Sequence, residues 1–220
     1  MSYLPCVEVE PATPATAAVI WLHGLGADGH DFEAIVPELH LPQDAGVRFI
    51  FPHAPSMPVT INNGYVMPAW YDILDIAFDR KVDEAQLLQS AAAVHALIDR
   101  EIERGIDSQR IVIAGFSQGG AVGYQAALSY PKPLAGLLAM STYFATHASI
   151  KVHSANQNLP IQIYHGTQDP VVPEPLGRQA VSQLADHQLS AHYSTYPMQH
   201  SVCLEQIRDI AAWLKKTLLA

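Results

Sequence analysis

The chain alternates short, almost wholly apolar runs with longer stretches in which apolar residues recur at helical spacing. Apolar alternation over Leu189–Tyr196 predicts an edge strand. Strands that are apolar on both faces and separated by helices are typical of a mainly parallel sheet with helices on both sides. The sequence therefore predicts an α/β fold. The five runs that predict buried strands are Ala17–Leu22, Val47–Phe51, Arg110–Ala114, Leu134–Met140 and Ile161–His165.

The predicted helices lie between these strands. The first begins at Asp83, an N-cap residue followed by Gln86 in the spacing of a capping box, and ends near Gly105. Two long segments, Pro52–Ile76 and Thr142–Pro160, show neither pattern and are predicted to be loops. The other helices are predicted over 118–130, 175–187 and 202–218, with Ser201 as a candidate cap of the last one.

Length and charge limit the classes of protein. A chain of 220 residues can bury a full core, and we expect one domain over 1–220. The formal net charge is −9, and no Lys or Arg precedes Arg48. This balance argues against a nucleic-acid partner and against binding to an anionic membrane. No apolar run is long enough for a membrane span, and two cysteines favour a reducing cytoplasm.

The segment Gly115–Gly119 has the pattern Gly-x-Ser-x-Gly, with Ser117 at its centre. A predicted strand precedes it and a predicted helix follows, as a nucleophile elbow requires. The strained turn between strand and helix would present the Ser117 hydroxyl at the edge of the sheet. The alternative is a glycine-rich turn with an ordinary capping serine.

A serine hydroxyl needs a general base, and in this class of fold the acid and then the histidine follow the serine along the chain. His200 lies in the loop between the last strand and the last helix, whereas His187 ends a helix and His192 lies within a strand. Asp169 directly follows a strand and its turn, and we expect it to orient the imidazole of His200. A loop histidine and a turn-forming aspartate are the alternative interpretations. The other carboxylates after the serine, Glu174, Asp186, Glu205 and Asp209, lie on helices or follow His200.

Two backbone N–H groups are expected to stabilise an oxyanion. One belongs to Gln118, directly after the serine, and the other to Leu25 in the glycine-containing loop after the first buried strand. His23 is expected to brace that loop rather than to take part in catalysis. No metal-ligand spacing such as His-Glu-x-x-His or Cys-x-x-Cys occurs, so we expect neither a metal nor another cofactor.

Apolar residues near the predicted site form a candidate wall for an acyl group. Ordinary packing in the core is the alternative for each of them. The candidates are Met67, Trp70, Tyr71, Val171 and Val172.

Taken together, these segments resemble the small carboxylesterases and acyl-protein thioesterases of the α/β-hydrolase fold. The resemblance rests on LHGLGADGHDF, FPHAP, MPAWYDI, GFSQGGA, HGTQDPVVP and HSVCLEQIRDIAAWL, which together run from residue 22 to residue 214. It implies an α/β-hydrolase domain without a large lid, with Ser117, Asp169 and His200 as a catalytic triad and Leu25 and Gln118 as oxyanion donors. The chain departs from the family pattern at His30, Thr142, Gln199 and Leu204, and the changes at Thr142 and Gln199 affect the expected substrate preference.

The predicted function is hydrolysis of carboxylic esters or thioesters that carry an apolar acyl group, through an acyl-enzyme intermediate. The substrate is expected to be a small ester, an acyl thioester or an acylated protein, with lysophospholipids as an alternative. A dienelactone-hydrolase-like enzyme and a binding module without catalysis are the other hypotheses. The first would be favoured by a cysteine at position 117, and the second by loss of a triad residue, but neither change is present. A monomer and a homodimer both fit the sequence.

Overall fold

Every residue of the run Ala17–Leu22 is buried, because this strand lies inside a sheet that is covered on both faces. In the computed structural model, which describes residues 3–77 and 80–219, seven strands form this sheet. Along the chain the strands are β1 (Cys6–Val9), β2 (Ala17–Leu22), β3 (Val47–Pro52), β4 (Ser56–Val59), β5 (Tyr65–Pro68), β6 (Ile73–Asp75), β7 (Lys81–Val82), β8 (Ile111–Phe116), β9 (Gly136–Met140), β10 (Ile161–Gly166) and β11 (Ala191–Tyr196).

The order in the large sheet is β1-β3-β2-β8-β9-β10-β11. All neighbours pair in parallel except β1, which runs antiparallel to β3 at one edge. The six predicted strands are confirmed, and β11 lies at the predicted edge. The strand β1 was not predicted. The α/β architecture with a mainly parallel sheet is therefore confirmed.

Alternate residues of each strand face two separate cores. Ile20 and Ile113 pack on one side of the sheet with the helices over 84–103, 118–129 and 174–186, whereas Val19 and Val112 pack on the other side with those over 35–38 and 204–218. This division explains why the strands are apolar throughout. The helices are α1 (Ile35–Glu38), α2 (Glu84–Glu103), α3 (Gln118–Ser129), α4 (Glu174–Asp186) and α5 (Leu204–Leu218). None of the helices in the described ranges is both long and apolar enough to cross a membrane.

Two predicted helix caps need correction. The Asp83 side chain does accept the N–H of Gln86, but the Gln86 side chain accepts the N–H of Asp72 instead of closing a capping box. The N-cap of α5 is Cys203 and not Ser201, and the Cys203 side chain makes no capping hydrogen bond. Both differences arise from long-range contacts or loop geometry, which local sequence patterns do not contain.

The segment predicted as a loop over Pro52–Ile76 is more regular than expected. β4 and β5 form an antiparallel hairpin, and β6 pairs with β7. These two small sheets lie after the carboxyl end of β3 and carry residues towards the predicted site.

Candidate active site

Four segments converge at the carboxyl edge of the sheet. Ser117 directly follows β8, Asp169 follows β10, His200 follows β11 and Leu25 follows β2. Because these four strands are parallel members of one sheet, their carboxyl ends open onto the same edge. The predicted nucleophile, acid, base and oxyanion donor therefore meet in one region.

The turn at Ser117 has the geometry of a nucleophile elbow. Ser117 has φ +53° and ψ −121°, a backbone conformation that residues other than glycine adopt rarely. A Cβ on Gly115 would lie 2.4 Å from the carbonyl oxygen of Gly119, and one on Gly119 would lie 2.5 Å from that of His23. The two glycines of the motif are therefore required by close backbone approach.

The hydrogen bonds of the elbow keep it in this conformation. The N–H of Ser117 donates to the carbonyl of Met140 at 2.9 Å, and the Thr142 hydroxyl donates to the carbonyl of Ser117 at 2.6 Å. Thr142 is fully buried. This position, one of the departures from the family pattern, thus supports the elbow directly.

Asp169 and His200 form a direct pair. The Nδ1 of His200 lies 2.6 Å from Oδ2 of Asp169, whose side chain is fully buried. The ring of Phe116, the residue before Ser117, lies 4.7 Å from the His200 ring, measured between centroids. The imidazole of His200 therefore lies beside the elbow with Nε2 as its remaining ring nitrogen.

The other oxygen of Asp169 accepts two backbone hydrogen bonds, from the N–H groups of Val171 and Val172, both at 2.8 Å. Burial raises the pKa of Asp169, but the hydrogen bonds from His200 and the two amides outweigh burial and bring the pKa below its usual value. The carboxylate is therefore ionised near neutral pH.

A second histidine, which sequence analysis did not single out, lies behind this carboxylate. The Nε2 of His165 donates to the carbonyl of Val172 at 2.8 Å and lies 3.7 Å from Oδ2 of Asp169. Burial lowers the pKa of His165, so its imidazole is neutral. Its position directly before the turn to Asp169 is the sequence signal that could have identified it.

The loop of Leu25 is held by hydrogen bonds on both sides. The N–H of Ala54 donates to Nε2 of His23 at 3.1 Å, so Nδ1 carries the proton and donates to the carbonyl of Gly24 at 2.8 Å. The N–H of Gly26 donates to the carbonyl of Pro68 at 2.8 Å. His23 thus braces this loop, as expected from the sequence.

A cavity of about 270 Å³ opens over Ser117. Val171, a predicted wall residue, lines it and is 51% exposed, and the two predicted oxyanion donors, Leu25 and Gln118, also lie along it. The remaining lining residues are Ile61, Ile73, Ile76, Arg80, Tyr143, Pro170 and Pro173.

The predicted wall is wrong for three residues. Trp70 and Tyr71 are 0% exposed and Val172 is 1% exposed, and all three pack into the core instead of lining the cavity. Met67 is half-buried and contacts the Asn62 side chain outside the cavity lining. An apolar run in the sequence does not show which of its side chains point into the core. Core residues were therefore predicted as residues of the cavity wall.

Arg80 is the charged residue that sequence analysis missed. Among the described residues that line the cavity it is the one with a charged side chain, and its guanidinium lies over the Tyr143 ring at 5.1 Å. A guanidinium Nη2 also donates to the carbonyl of Val171. No local motif around Arg80 indicates this position, because its contacts come from distant segments.

The mainly parallel sheet with a strand-serine-helix elbow at its carboxyl edge defines an α/β hydrolase. The sequence profile of the phospholipase/carboxylesterase family matches residues 5–218. The chain belongs to this phospholipase/carboxylesterase family, and it is a hydrolase that acts on esters or thioesters.

Relatives in sequence and structure agree with this assignment. An acyl-protein thioesterase 1 of Neurospora crassa is 42% identical over 214 residues, covering 92% of this chain and 87% of the relative. One from Gibberella zeae is 36% identical and covers 94% of this chain and 93% of the relative. The crystal structure of Arabidopsis thaliana SOBER1 superposes with a TM-score of 0.86 at 31% identity, covering 92% of this chain and 99% of that one.

Proposed function

We propose that Ser117, His200 and Asp169 form a catalytic triad that hydrolyses acyl esters and thioesters. The observation that carries the proposal is the 2.6 Å contact between Nδ1 of His200 and the buried, ionised Asp169, beside the strained turn of Ser117. A carboxylate at Nδ1 fixes the tautomer in which Nε2 is free to accept a proton from the serine.

The reaction proceeds in two steps. His200 takes the proton of Ser117 as its oxygen attacks the acyl carbonyl, and the negative charge that forms on the carbonyl oxygen is stabilised by the N–H groups of Leu25 and Gln118. Each such donor is worth about 3 kcal/mol in the barrier. The alcohol or thiol leaves with the proton from His200. Water, deprotonated by the same imidazole, then attacks the acyl-enzyme and releases the carboxylic acid and Ser117.

The cavity supports an apolar acyl group as the preferred substrate part. Leu25, Ile61, Ile73 and Val171 offer hydrocarbon surface next to Ser117. Relatives with 36–42% identity are named acyl-protein thioesterases, which supports an acylated protein as the physiological substrate. The thioester of an acylated cysteine is therefore the substrate class that we propose, ahead of lysophospholipids.

The experiment compares the wild-type protein with Ser117→Ala on a series of acyl esters and on a matched thioester. Ser149→Ala is the control, because Ser149 is exposed and lies away from the cavity. We expect Ser117→Ala to lose activity on every substrate, Ser149→Ala to retain it, and kcat/KM of the wild type to rise with acyl length. Hydrolysis by Ser117→Ala at a rate near that of the wild type would refute the triad, and a flat response to chain length would refute the apolar acyl site.

Adding a lactone to the substrate series separates the two alternatives. A dienelactone-hydrolase-like enzyme would prefer lactones to acyclic thioesters, and a binding module would hydrolyse neither. A cytoplasmic location remains a prediction from the cysteine count, and a monomer and a homodimer both remain open.

A further inference from the structure

Trp70 is fully buried, yet it donates hydrogen bonds to the loop that carries Leu25 and to the side chain of Gln118. Its indole N–H donates to the carbonyl of His23 at 2.9 Å, and its own backbone N–H donates to Oε1 of Gln118 at 2.8 Å. One residue of the segment after β5 thus connects the loop after β2 with the start of α3.

The bond from the indole to the His23 carbonyl lies one peptide unit before the Leu25 N–H. The Nδ1 of His23 donates to the carbonyl of Gly24, which belongs to the same peptide unit as the N–H of Leu25. Trp70 fixes the backbone of His23 through its carbonyl and also packs against its imidazole, with 5.1 Å between the ring centroids. Loss of the indole N–H would free the His23 carbonyl, and the adjoining peptide unit between Gly24 and Leu25 would then have more freedom to rotate.

The backbone of Trp70 is itself held in place. The Ser90 hydroxyl donates to the carbonyl of Trp70, and Nε2 of Gln118 donates to the carbonyl of Tyr71 at 2.6 Å. The Gln118 side chain therefore bonds to two successive residues of this segment. The indole is consequently presented to His23 from a rigid backbone.

We propose that Trp70 is a positioning residue whose indole N–H, through the His23 carbonyl, aims the oxyanion donor Leu25 at the reacting carbonyl. This inference rests on the proposed oxyanion hole and adds to it a residue that never touches the substrate. Oxyanion donors stabilise the transition state more than the bound substrate, so misplacing them lowers kcat rather than binding.

The test is Trp70→Phe, which keeps an aromatic ring in the core and removes the indole N–H. Trp21→Phe is the matched control, because Trp21 is buried and its Nε1 has no hydrogen-bond partner in the described part of the chain. Active-site titration with a fluorophosphonate normalises each rate to the folded enzyme. For Trp70→Phe we expect kcat to fall about tenfold or more with KM within about twofold, a part of the loss seen when an oxyanion donor is removed. Trp21→Phe should keep the wild-type kcat.

A second readout distinguishes positioning from general damage. A trifluoromethyl ketone is an inhibitor whose carbonyl carbon is attacked by the Ser117 oxygen, and the resulting adduct mimics the tetrahedral intermediate. Its inhibition constant should rise in Trp70→Phe by the same factor by which kcat/KM falls. An unchanged inhibition constant, a kcat equal to that of Trp21→Phe, or a loss expressed only in KM would overturn the proposal.

Two further variants keep the outcome interpretable. If Trp70→Phe does not fold, Ser90→Ala is used instead, because it frees the Trp70 carbonyl and leaves the indole intact. A lower kcat at constant KM supports the proposal, and an unchanged kcat overturns it.

Ser117→Ala separates this inference from the proposed function. Activity near the wild-type level in Ser117→Ala would refute the triad, whereas a Ser117→Ala that has lost nearly all activity, together with a fully active Trp70→Phe, refutes only the role of Trp70.

Discussion

Gly177 of α4 faces the buried His165, and replacing it with alanine tests how tightly the acid of the proposed triad is packed. A Cβ at position 177 would lie 2.2 Å from Nδ1 and 2.9 Å from Cε1 of His165. The ring cannot move freely, because its Nε2 donates to the carbonyl of Val172, whose N–H in turn holds Asp169. The substitution therefore forces either the helix or the loop of Asp169 to shift.

The expected magnitude follows from opposing contributions. Alanine in a helix gains about 1 kcal/mol over glycine, but overpacking costs about 1–3 kcal/mol and a weakened hydrogen bond about 1 kcal/mol more. We expect Gly177→Ala to lower the free energy of unfolding by about 2 kcal/mol, which corresponds to a Tm lower by roughly 4–8 °C in a domain of this size.

Gly123→Ala is the matched control in α3. Its Cβ would lie 3.5 Å from Leu137 and 3.6 Å from Ile113, which are ordinary van der Waals distances. This variant should be as stable as the wild type or more stable, by up to about 1 kcal/mol. Thermal and urea unfolding of the two variants measure the difference, and Gly177→Ala as stable as Gly123→Ala would refute the packing argument. We also expect a lower kcat/KM only in Gly177→Ala.

Three further predictions concern charge. Asp169→Asn keeps the shape of the side chain but no longer fixes the tautomer of His200, so kcat on an ester substrate should fall about 10⁴-fold, and a loss below tenfold would contradict the assignment. Glu101 is fully buried and pairs with three guanidinium groups, those of Arg48, Arg100 and Arg104. Glu101→Gln should therefore lower the free energy of unfolding, measured in urea, by about 3 kcal/mol. The control Glu103→Gln, at an exposed position, should change it by less than about 0.5 kcal/mol. Burial lowers the pKa of His23, His95 and His165, so below about pH 6.5 the unfolded chain binds more protons than the folded chain, and stability is lost as the pH falls. His95→Gln should therefore reduce the loss of unfolding free energy between about pH 7 and pH 5, measured in urea, and an unchanged loss would contradict this explanation.

Local patterns predicted the parts of the fold that depend on nearby residues. The fully apolar run of β2 has the same bounds in the structure as in the sequence, and the Asp83 cap of α2 is present. The edge strand β1 was missed because it is only half-buried and pairs with the distant β3. The short strands β4 to β7 pair locally, but they were missed because most of their residues are not buried and no apolar run marks them. The periodic spacing of apolar residues does not show which strands pair with each other.

The candidate site shows the same division. Ser117, Asp169 and His200 were found by their positions after predicted strands, since chain order and parallel pairing bring those ends together. The cavity lining was predicted less well, because Trp70 and Tyr71 have the composition expected of a wall but turn into the core. Arg80 was missed because its contacts to Tyr143 and Val171 are far away in sequence.

The central claim is that Ser117 is the nucleophile, and labelling with a fluorophosphonate probe tests it most directly. The protein is incubated with the probe, and the adduct is located by peptide mass spectrometry while residual esterase activity is followed in parallel. The account predicts one adduct, on Ser117, formed at the rate at which activity disappears, and no adduct in Ser117→Ala. An adduct on another residue, or full activity in a protein labelled at Ser117, would contradict it.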